Sequence, residues 1–234
     1  MNSSKGQAYI SVIVPAYNEE KNIEKILKNI KKLSQYKLQI LVAVDSKTKD
    51  NTAKIAKQNN VEVLLTKNTR GKGDVIRQAI SQIKGDYAIQ IDADSQFLPS
   101  DIPKLIKPLE EGYDVTLGTR YQKGAHVQKG SVSPIKRFGS FFLSAATSVG
   151  CGVRITDVMA GFKAFKTPVL KKIKPKDPYF GYEAELVIKA AKRKYKILNV
   201  PISYKKRIIG QSTVNSLKHG FEVLQTIVST TKNG

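Results

Sequence analysis

Asp92, Asp94 and Gln96 sit at alternate positions directly after an apolar run, Ile89-Gln90-Ile91. On extended backbone, alternate side chains project to one side. Three oxygen-bearing groups would then supply half the coordination shell of a hard cation such as Mg2+ or Mn2+. The same letters also suit a turn, because Asp and Ser favour turns. The remaining residues fit for chemistry are mostly basic. Thr119-Arg120-Tyr121 ends an apolar strand, where an Arg can fork onto a phosphate. Lys72, between Gly71 and Gly73, makes either a phosphate or ribose contact or a solvated basic turn. Lys205-Lys206-Arg207, followed by Gly210-Gln211-Ser212-Thr213, is a basic loop that holds anions or is merely a solvated charge run. The two histidines, at 126 and 219, flank no nucleophile, and no Ser-His or Cys-His arrangement suggests itself. Arg70-Gly71-Lys72-Gly73 lacks the second half of G-x-G-x-x-G, and no G-x-x-x-x-G-K-[ST] occurs, so dehydrogenase and P-loop chemistries fall away.

The elements that would position these residues alternate. Tyr9–Val14 is a β-branched run stopped by Pro15, and Ile23, Ile26, Leu27, Ile30 and Leu33 follow at helical spacing. Leu38–Val44 is a second strand ending at Asp45, with Asp50 or Asn51 capping a helix after it. Val61–Thr66 precedes the basic glycine loop and a helix carrying Val75, Ile76, Ala79, Ile80 and Ile83. Tyr87–Ile91, a helix around Asp101–Leu109 and the strand Asp114–Thr119 continue the rhythm. This pattern predicts an α/β fold with a parallel sheet, helices on both faces and right-handed crossovers. Loops at Tyr17–Glu19, Asp45–Asp50, Arg70–Gly73 and Asp92–Gln96 would follow strand carboxyl ends and converge on one cleft.

After Thr119 the rhythm breaks. Gln122–Ser133 has no apolar period and is predicted to be a mobile loop. Ile135–Gly150 is predicted as a helix with Ile135, Phe138, Phe141, Phe142 and Ala145 mostly on one side and Lys136 and Arg137 at its start. That side either joins the core or lies against lipid. Ala160–Phe165 is a strand, Gly181–Tyr195 a helix, Ile197–Tyr204 a strand broken by Pro201, and Val214–Val228 an amphipathic helix.

Composition bounds the remaining choices. The 234 residues suffice for one α/β domain, and 41% hydrophobic content marks a globular chain. A single cysteine, Cys151, allows no internal disulfide, and the N-terminus lacks the apolar core of a signal peptide, so a cytosolic location is expected. Forty Lys and Arg against nineteen Asp and Glu give +21, a field attractive to nucleic acid, anionic lipid or phosphorylated substrates. The longest uncharged run, Phe138–Val153, falls short of the ~20 apolar residues of a membrane span.

In order along the chain, Ser11-Val12-Ile13-Val14-Pro15-Ala16-Tyr17-Asn18-Glu19-Glu20, Val44-Asp45 with Asp50-Asn51-Thr52, Arg70-Gly71-Lys72-Gly73, Asp92-Ala93-Asp94 and Gly118-Thr119-Arg120-Tyr121 resemble the signature of family-2 glycosyltransferases with the GT-A fold. Asp157-Val158-Met159-Ala160-Gly161-Phe162-Lys163, Gly181-Tyr182-Glu183-Ala184-Glu185, and Val200-Pro201-Ile202 leading to Arg207 and Gly210-Gln211-Ser212 resemble the polyprenyl-phosphate branch, which contains dolichol-phosphate mannose synthase. The resemblance implies a single GT-A domain over 1–234, Rossmann-like and mainly parallel, with a nucleotide-sugar half (1–120) and an acceptor half (121–234) bearing interfacial helices. It implies that Pro15, Tyr17, Asn18 and Glu19 line the nucleotide pocket, that Asp45 contacts base or ribose, and that Lys72, Gly73 and Ser212 bind substrate. Asp92, Asp94 and Gln96 would hold Mg2+ or Mn2+, the Gln marking the mannose-synthase variant of the motif. Arg120, Arg137 and Arg207 would face the phosphates. Ser46-Lys47 departs from the Asp-Gly usual there, which leaves the donor base open.

The implied reaction is inverting transfer of a hexose, from GDP-mannose first or UDP-glucose second, to polyprenyl or dolichyl phosphate at an anionic, cytoplasmic membrane face. A lipid phosphate is already ionised at neutral pH and needs no general base. A sugar or protein hydroxyl acceptor would need one, from Glu183, Glu185 or Asp157. A nucleic-acid-binding module is a third reading, disfavoured by the lack of interleaved aromatic and basic motifs.

Overall fold

The computed structural model describes residues 7–207 and 216–233. Five strands, β1 (Tyr9–Ala16), β2 (Lys37–Val44), β3 (Glu62–Leu65), β4 (Tyr87–Ile91) and β5 (Val115–Thr119), alternate with helices α1 (Ile23–Lys31), α2 (Thr52–Gln58), α3 (Lys72–Ile80) and α4 (Ile102–Glu110). There follow β6 (His126–Val127), α5 (Pro134–Cys151), β7 (Phe162–Lys166), α6 (Thr167–Lys172), α7 (Tyr182–Lys192), β8 (Ile197–Pro201), β9 (Ser203–Tyr204) and α8 (Ser216–Asn233). Among the described residues, seven strands form one sheet in the order β3-β2-β1-β4-β7-β5-β8. Every neighbour pair is parallel except those made by β7, which runs antiparallel between β4 and β5.

Helices cover both faces, as the buried alternation within strands requires. Ile10, Val12 and Val14 of β1 join a core with Ile23, Ile26, Leu27 and Ile30 of α1 and with Ile102, Leu105 and Ile106 of α4. Each such aliphatic side chain contributes roughly 1.5–3 kcal/mol on burial. Ile13, Leu41 and Ala43 face the other way, with Val75 and Ile76 of α3 and Leu186, Val187 and Ile188 of α7.

Three expectations take definite form. The stretch Gln122–Ser133 is not all loop: its His126 and Val127 pair in parallel with Ser203 and Tyr204. The break expected at Pro201, which has no N–H to donate, divides Ile197–Tyr204 into β8 and β9, and β9 leaves the main sheet to pair with β6. Asp92–Gln96 is a turn rather than extended backbone, with Ser95 in the left-handed region at φ +60°.

α5 has firm ends, with Ser133 Oγ accepting from the Lys136 N–H and Gly152 closing the helix at φ +69°. It is inverted relative to a core helix. Ser140, Leu143, Ser144 and Thr147 face the protein, and Ile135, Phe138, Phe141, Phe142 and Val149 are exposed, Phe138 at 74%. Inside, Ser144 and Thr147 hydroxyls donate to carbonyls one turn back (2.7 and 2.8 Å), so the polar side is satisfied without water. α8 packs beside α5, with Phe221 and Val228 also exposed. No helix among the described residues is long and apolar enough to cross a membrane.

Candidate active site

The parallel strands put their carboxyl ends on one edge, and the loops there are fastened to each other. Asn18 Oδ1 accepts from the Lys49 N–H (2.9 Å), Thr52 Oγ1 from the Glu19 N–H (2.8 Å) and Asp50 Oδ2 from the Glu20 N–H (3.0 Å). Asn18 is left-handed at φ +52°, a conformation Asn tolerates. Pro15 ends buried within β1, Tyr17 is exposed beside it, and Asp45 is nearly buried at the tip of β2. Burial pushes the Glu19 carboxyl above its ordinary value, against the hydrogen bond from Asn22 and the charge of Arg207.

At the end of β4 each carboxylate faces a side-chain cation. Lys72 Nζ lies 2.6 Å from Asp92 Oδ1 and 3.4 Å from Glu183 Oε1, and Arg207 Nη2 lies 2.6 Å from Asp94 Oδ2. Burial opposes the charge on Lys72, but Asp92 and Glu183 outweigh it and hold the ammonium above the usual lysine value. Asp94 Oδ1 accepts from the Gln96 N–H (3.1 Å), which sets the turn, and Gln96 Nε2 donates to the Lys205 carbonyl (3.0 Å). The turn thereby grips the segment that carries Arg207.

Arg120 is fixed rather than free. Its Nε and Nη2 donate to the buried Asp157 at 2.7 and 2.9 Å, and its guanidinium lies between the rings of Tyr121 and Tyr204 at 5.2 and 5.0 Å. Burial disfavours its charge, and Asp157 more than restores it. Asp157 also accepts from Ser140 Oγ of α5 (3.0 Å), tying that helix to the cleft. Arg137 is exposed on α5, 5.9 Å from the Tyr121 ring. Lys136 feels Arg207, Arg120 and Asp94, and burial with those two cations lowers its affinity for a proton. Ser212 lies outside the described residues.

Several functional neighbours carried no role in the sequence. A Cβ on Gly161 would come within 2.5 Å of Asp92 Oδ1, so this glycine is the seat of that carboxylate. Gly73, which the resemblance assigned to substrate binding, is closely packed as well, since a Cβ there would lie 2.9 Å from the Pro178 carbonyl carbon. Lys163, wholly buried on β7, donates to the Val158 and Ala160 carbonyls (2.9 and 2.5 Å) and pairs with Glu183. Gln90 and Tyr182 complete this buried base by bonding each other and Glu183. The visible signal was a Lys inside the apolar strand Ala160-Gly161-Phe162-Lys163-Ala164-Phe165, since a buried lysine needs a partner.

A largely parallel sheet flanked by helices, with paired carboxylates after its fourth strand, is the GT-A architecture of glycosyltransferases. The chain belongs to glycosyl transferase family 2, whose family model matches residues 11–174. It is similar to the dolichol-phosphate mannosyltransferase of Pyrococcus furiosus, 30% identical over 228 residues, 93% of this chain and 62% of that protein. It is also similar to the UDP-N-acetylglucosamine–dolichyl-phosphate N-acetylglucosaminyltransferase of Methanococcus voltae, 31% identical over 217 residues, 82% of this chain and 84% of that one. In fold it resembles the glucosyl-3-phosphoglycerate synthase of Mycobacterium tuberculosis, solved with Mn2+ and UDP. The TM-score is 0.77 at 22% identity, covering 96% of this chain and 80% of that one.

The Gly161 seat has a measurable consequence. Gly161→Ala displaces the Asp92 carboxylate from Lys72, and misplacement on this scale lowers glycosyl transfer by about 10²-fold. Steady-state rates, with thermal melting as the control for folding, check it; an unchanged rate would show that the seat is dispensable.

Proposed function

We propose that this chain moves a hexose from a nucleotide sugar to a polyprenyl or dolichyl phosphate, with inversion, while docked peripherally at the cytoplasmic membrane face. The observation that carries this reading is α5. Its exposed Phe138, Phe141 and Phe142 begin beside Lys136 and Arg137, and its buried Ser140 reaches Asp157 and so Arg120. An apolar surface that adjoins a cluster of cations suits an acceptor with a lipid tail and a phosphate head. The names of the relatives agree on a dolichyl-phosphate acceptor and differ in the sugar.

Among the described residues no three His, Cys, Asp or Glu side chains gather as a metal cage. The site still fits Mg2+ or Mn2+, which take one or two carboxylates and complete their shell with substrate oxygens and water. Arg207 already shows that Asp94 accepts a cation. Asp94, with Gln96 and Asp92, would hold the ion, which would neutralise the departing diphosphate. Pro15, Tyr17, Asn18, Glu19 and Asp45 would take the nucleoside, Lys72 would hold Asp92 in place, and Arg120, Arg137 and Arg207 would orient the acceptor phosphate, with Ser212 in the following loop.

A hydroxyl acceptor is less well served. Asp157 is wholly buried and engaged by Arg120 and Ser140, and Glu183 is paired with Lys163 and Lys72. Glu185 accepts from the Lys176 and Asp177 N–H groups (both 2.8 Å) and pairs with Lys189. None of the three is free to take a proton at the cleft. The decisive experiment is a donor screen with Mg2+ or Mn2+ against a short polyprenyl phosphate and the matching polyprenol. Transfer to the phosphate alone is expected; transfer to the alcohol would overturn the acceptor assignment.

Membrane docking has its own test. Phe138→Glu with Phe141→Glu changes two exposed side chains, so folding is kept while binding to anionic vesicles weakens about 30-fold or more. Vesicle sedimentation measures it, and unchanged binding would remove α5 from the interface.

A further inference from the structure

The donor's base is the point on which the cleft says more than its likenesses. The nucleotide-binding loops lie in the order β2, β1, β4, so Asp45 after β2 stands two strands, about 10 Å, from Asp92 after β4. With a diphosphate at Asp92 and Asp94, that span is filled by ribose and places the base at Asp45.

The carboxylate of Asp45 is asymmetric. Oδ1 accepts from the Lys47 N–H (2.9 Å) and from Thr69 Oγ1 (2.8 Å), which uses both of its lone pairs. A carboxylate oxygen only accepts, and this sets the direction of the Thr69 proton. Thr69 gives its hydroxyl proton to Asp45 and accepts from the Ser46 N–H (3.2 Å). Ser46 Oγ, 2.6 Å from Thr69 Oγ1, accepts from the Thr69 N–H (3.1 Å). Thr69 is 3% exposed, so water does not compete for this arrangement. Oδ2 accepts from no group among the described residues. Ser46, standing where a second carboxylate is usual, supplies no further anionic oxygen.

We propose that Asp45, with Oδ1 occupied by Lys47 and Thr69, selects a uridine nucleotide over a guanosine one, and that Thr69 is the residue that sets this preference. Uracil presents one N–H between two carbonyls and needs a single carboxylate oxygen, which Oδ2 is. Guanine presents two adjacent N–H donors that call for both oxygens, and one would stay unpaired in a nearly buried site. Cytosine has no proton at the matching nitrogen, and adenine sets an acceptor nitrogen beside its only donor. The inference rests on the nucleotide-sugar reading of the cleft and reverses the order of donors that the sequence resemblance implies.

Titration calorimetry of the full chain with UDP and with GDP, in the presence of Mn2+, tests it. UDP is expected to bind at least about tenfold tighter, the cost of one unpaired buried donor. Thr69→Val, which returns a lone pair to Oδ1, brings the ratio of the two affinities towards one, and Thr69→Ser restores it. Asp45→Asn weakens UDP. Circular dichroism establishes that each variant is folded. GDP binding as tightly as UDP, or a ratio unmoved in folded Thr69→Val, overturns the base assignment and leaves the nucleotide site standing. If neither nucleotide binds the parent protein, the nucleotide-sugar reading itself falls.

Discussion

Asp94→Asn reduces glycosyl transfer by about 10³-fold, on the scale of losing one preorganised charge contact at a site of developing charge. The amide keeps the shape of the turn, since its oxygen can still accept from the Gln96 N–H. What is lost is the negative charge that faces Arg207 and would face a divalent cation. The loss falls on the turnover rate with added Mn2+ and on the binding of Mn2+ itself, followed by electron paramagnetic resonance in the absence of substrates. A variant that retained parental transfer would sink the cation assignment. Arg207→Gln separates the two contributions, because it removes the ion pair and leaves the carboxylate.

Lys163→Met destabilises the protein by about 3–5 kcal/mol, the usual cost of stranding one partner of a buried ion pair. Lys163 is wholly buried, and its ammonium satisfies two backbone carbonyls as well as Glu183. Burial alone would raise the Glu183 carboxyl, yet Lys163 and Lys72 together hold it below its ordinary value. Without Lys163 the carboxylate keeps its neutral donors Gln90 and Tyr182 but only one cation, Lys72 at 3.4 Å, which is already committed to Asp92. For a chain of this size the change lowers the melting temperature by roughly 6–20 °C. Thermal melting at neutral pH measures it. The double variant Lys163→Met with Glu183→Leu is expected to regain part of the loss, because it removes the stranded charge; a single variant as stable as the parent would show the pair to be energetically idle.

Much of the fold was legible because hydrophobic period is local. Ile23, Ile26, Leu27 and Ile30 announce a helix, and they are all buried on one core. Strand direction is not written in such a pattern, so nothing in Phe162–Lys166 tells that β7 runs against its neighbours. The period of α5 was equally plain, but which side faces inward depends on Asp157 and the hydroxyl ladder it meets. Of the candidate site, the spacing of Asp92 and Asp94 could be seen and the left-handed Ser95 between Asp94 and Gln96 could not, since the turn is held by a contact with Lys205 far along the chain. Gly161 and Lys163 stood in a motif with no assigned task, and their tasks became visible only once β7 lay against β4.

That placement governs how the molecule must come together. β2, β3 and β4 can each pair, as they leave the ribosome, with a strand already made. β5 cannot, for its partners are β7 and β8, which are synthesised later. The carboxylate of Asp92 therefore waits for its seat at Gly161, and the nascent chain holds an unpaired β5 edge in the meantime. Assembly of the cleft is a late, long-range step, of the kind that slows folding, and a half-made chain has a Rossmann-like platform with no working end.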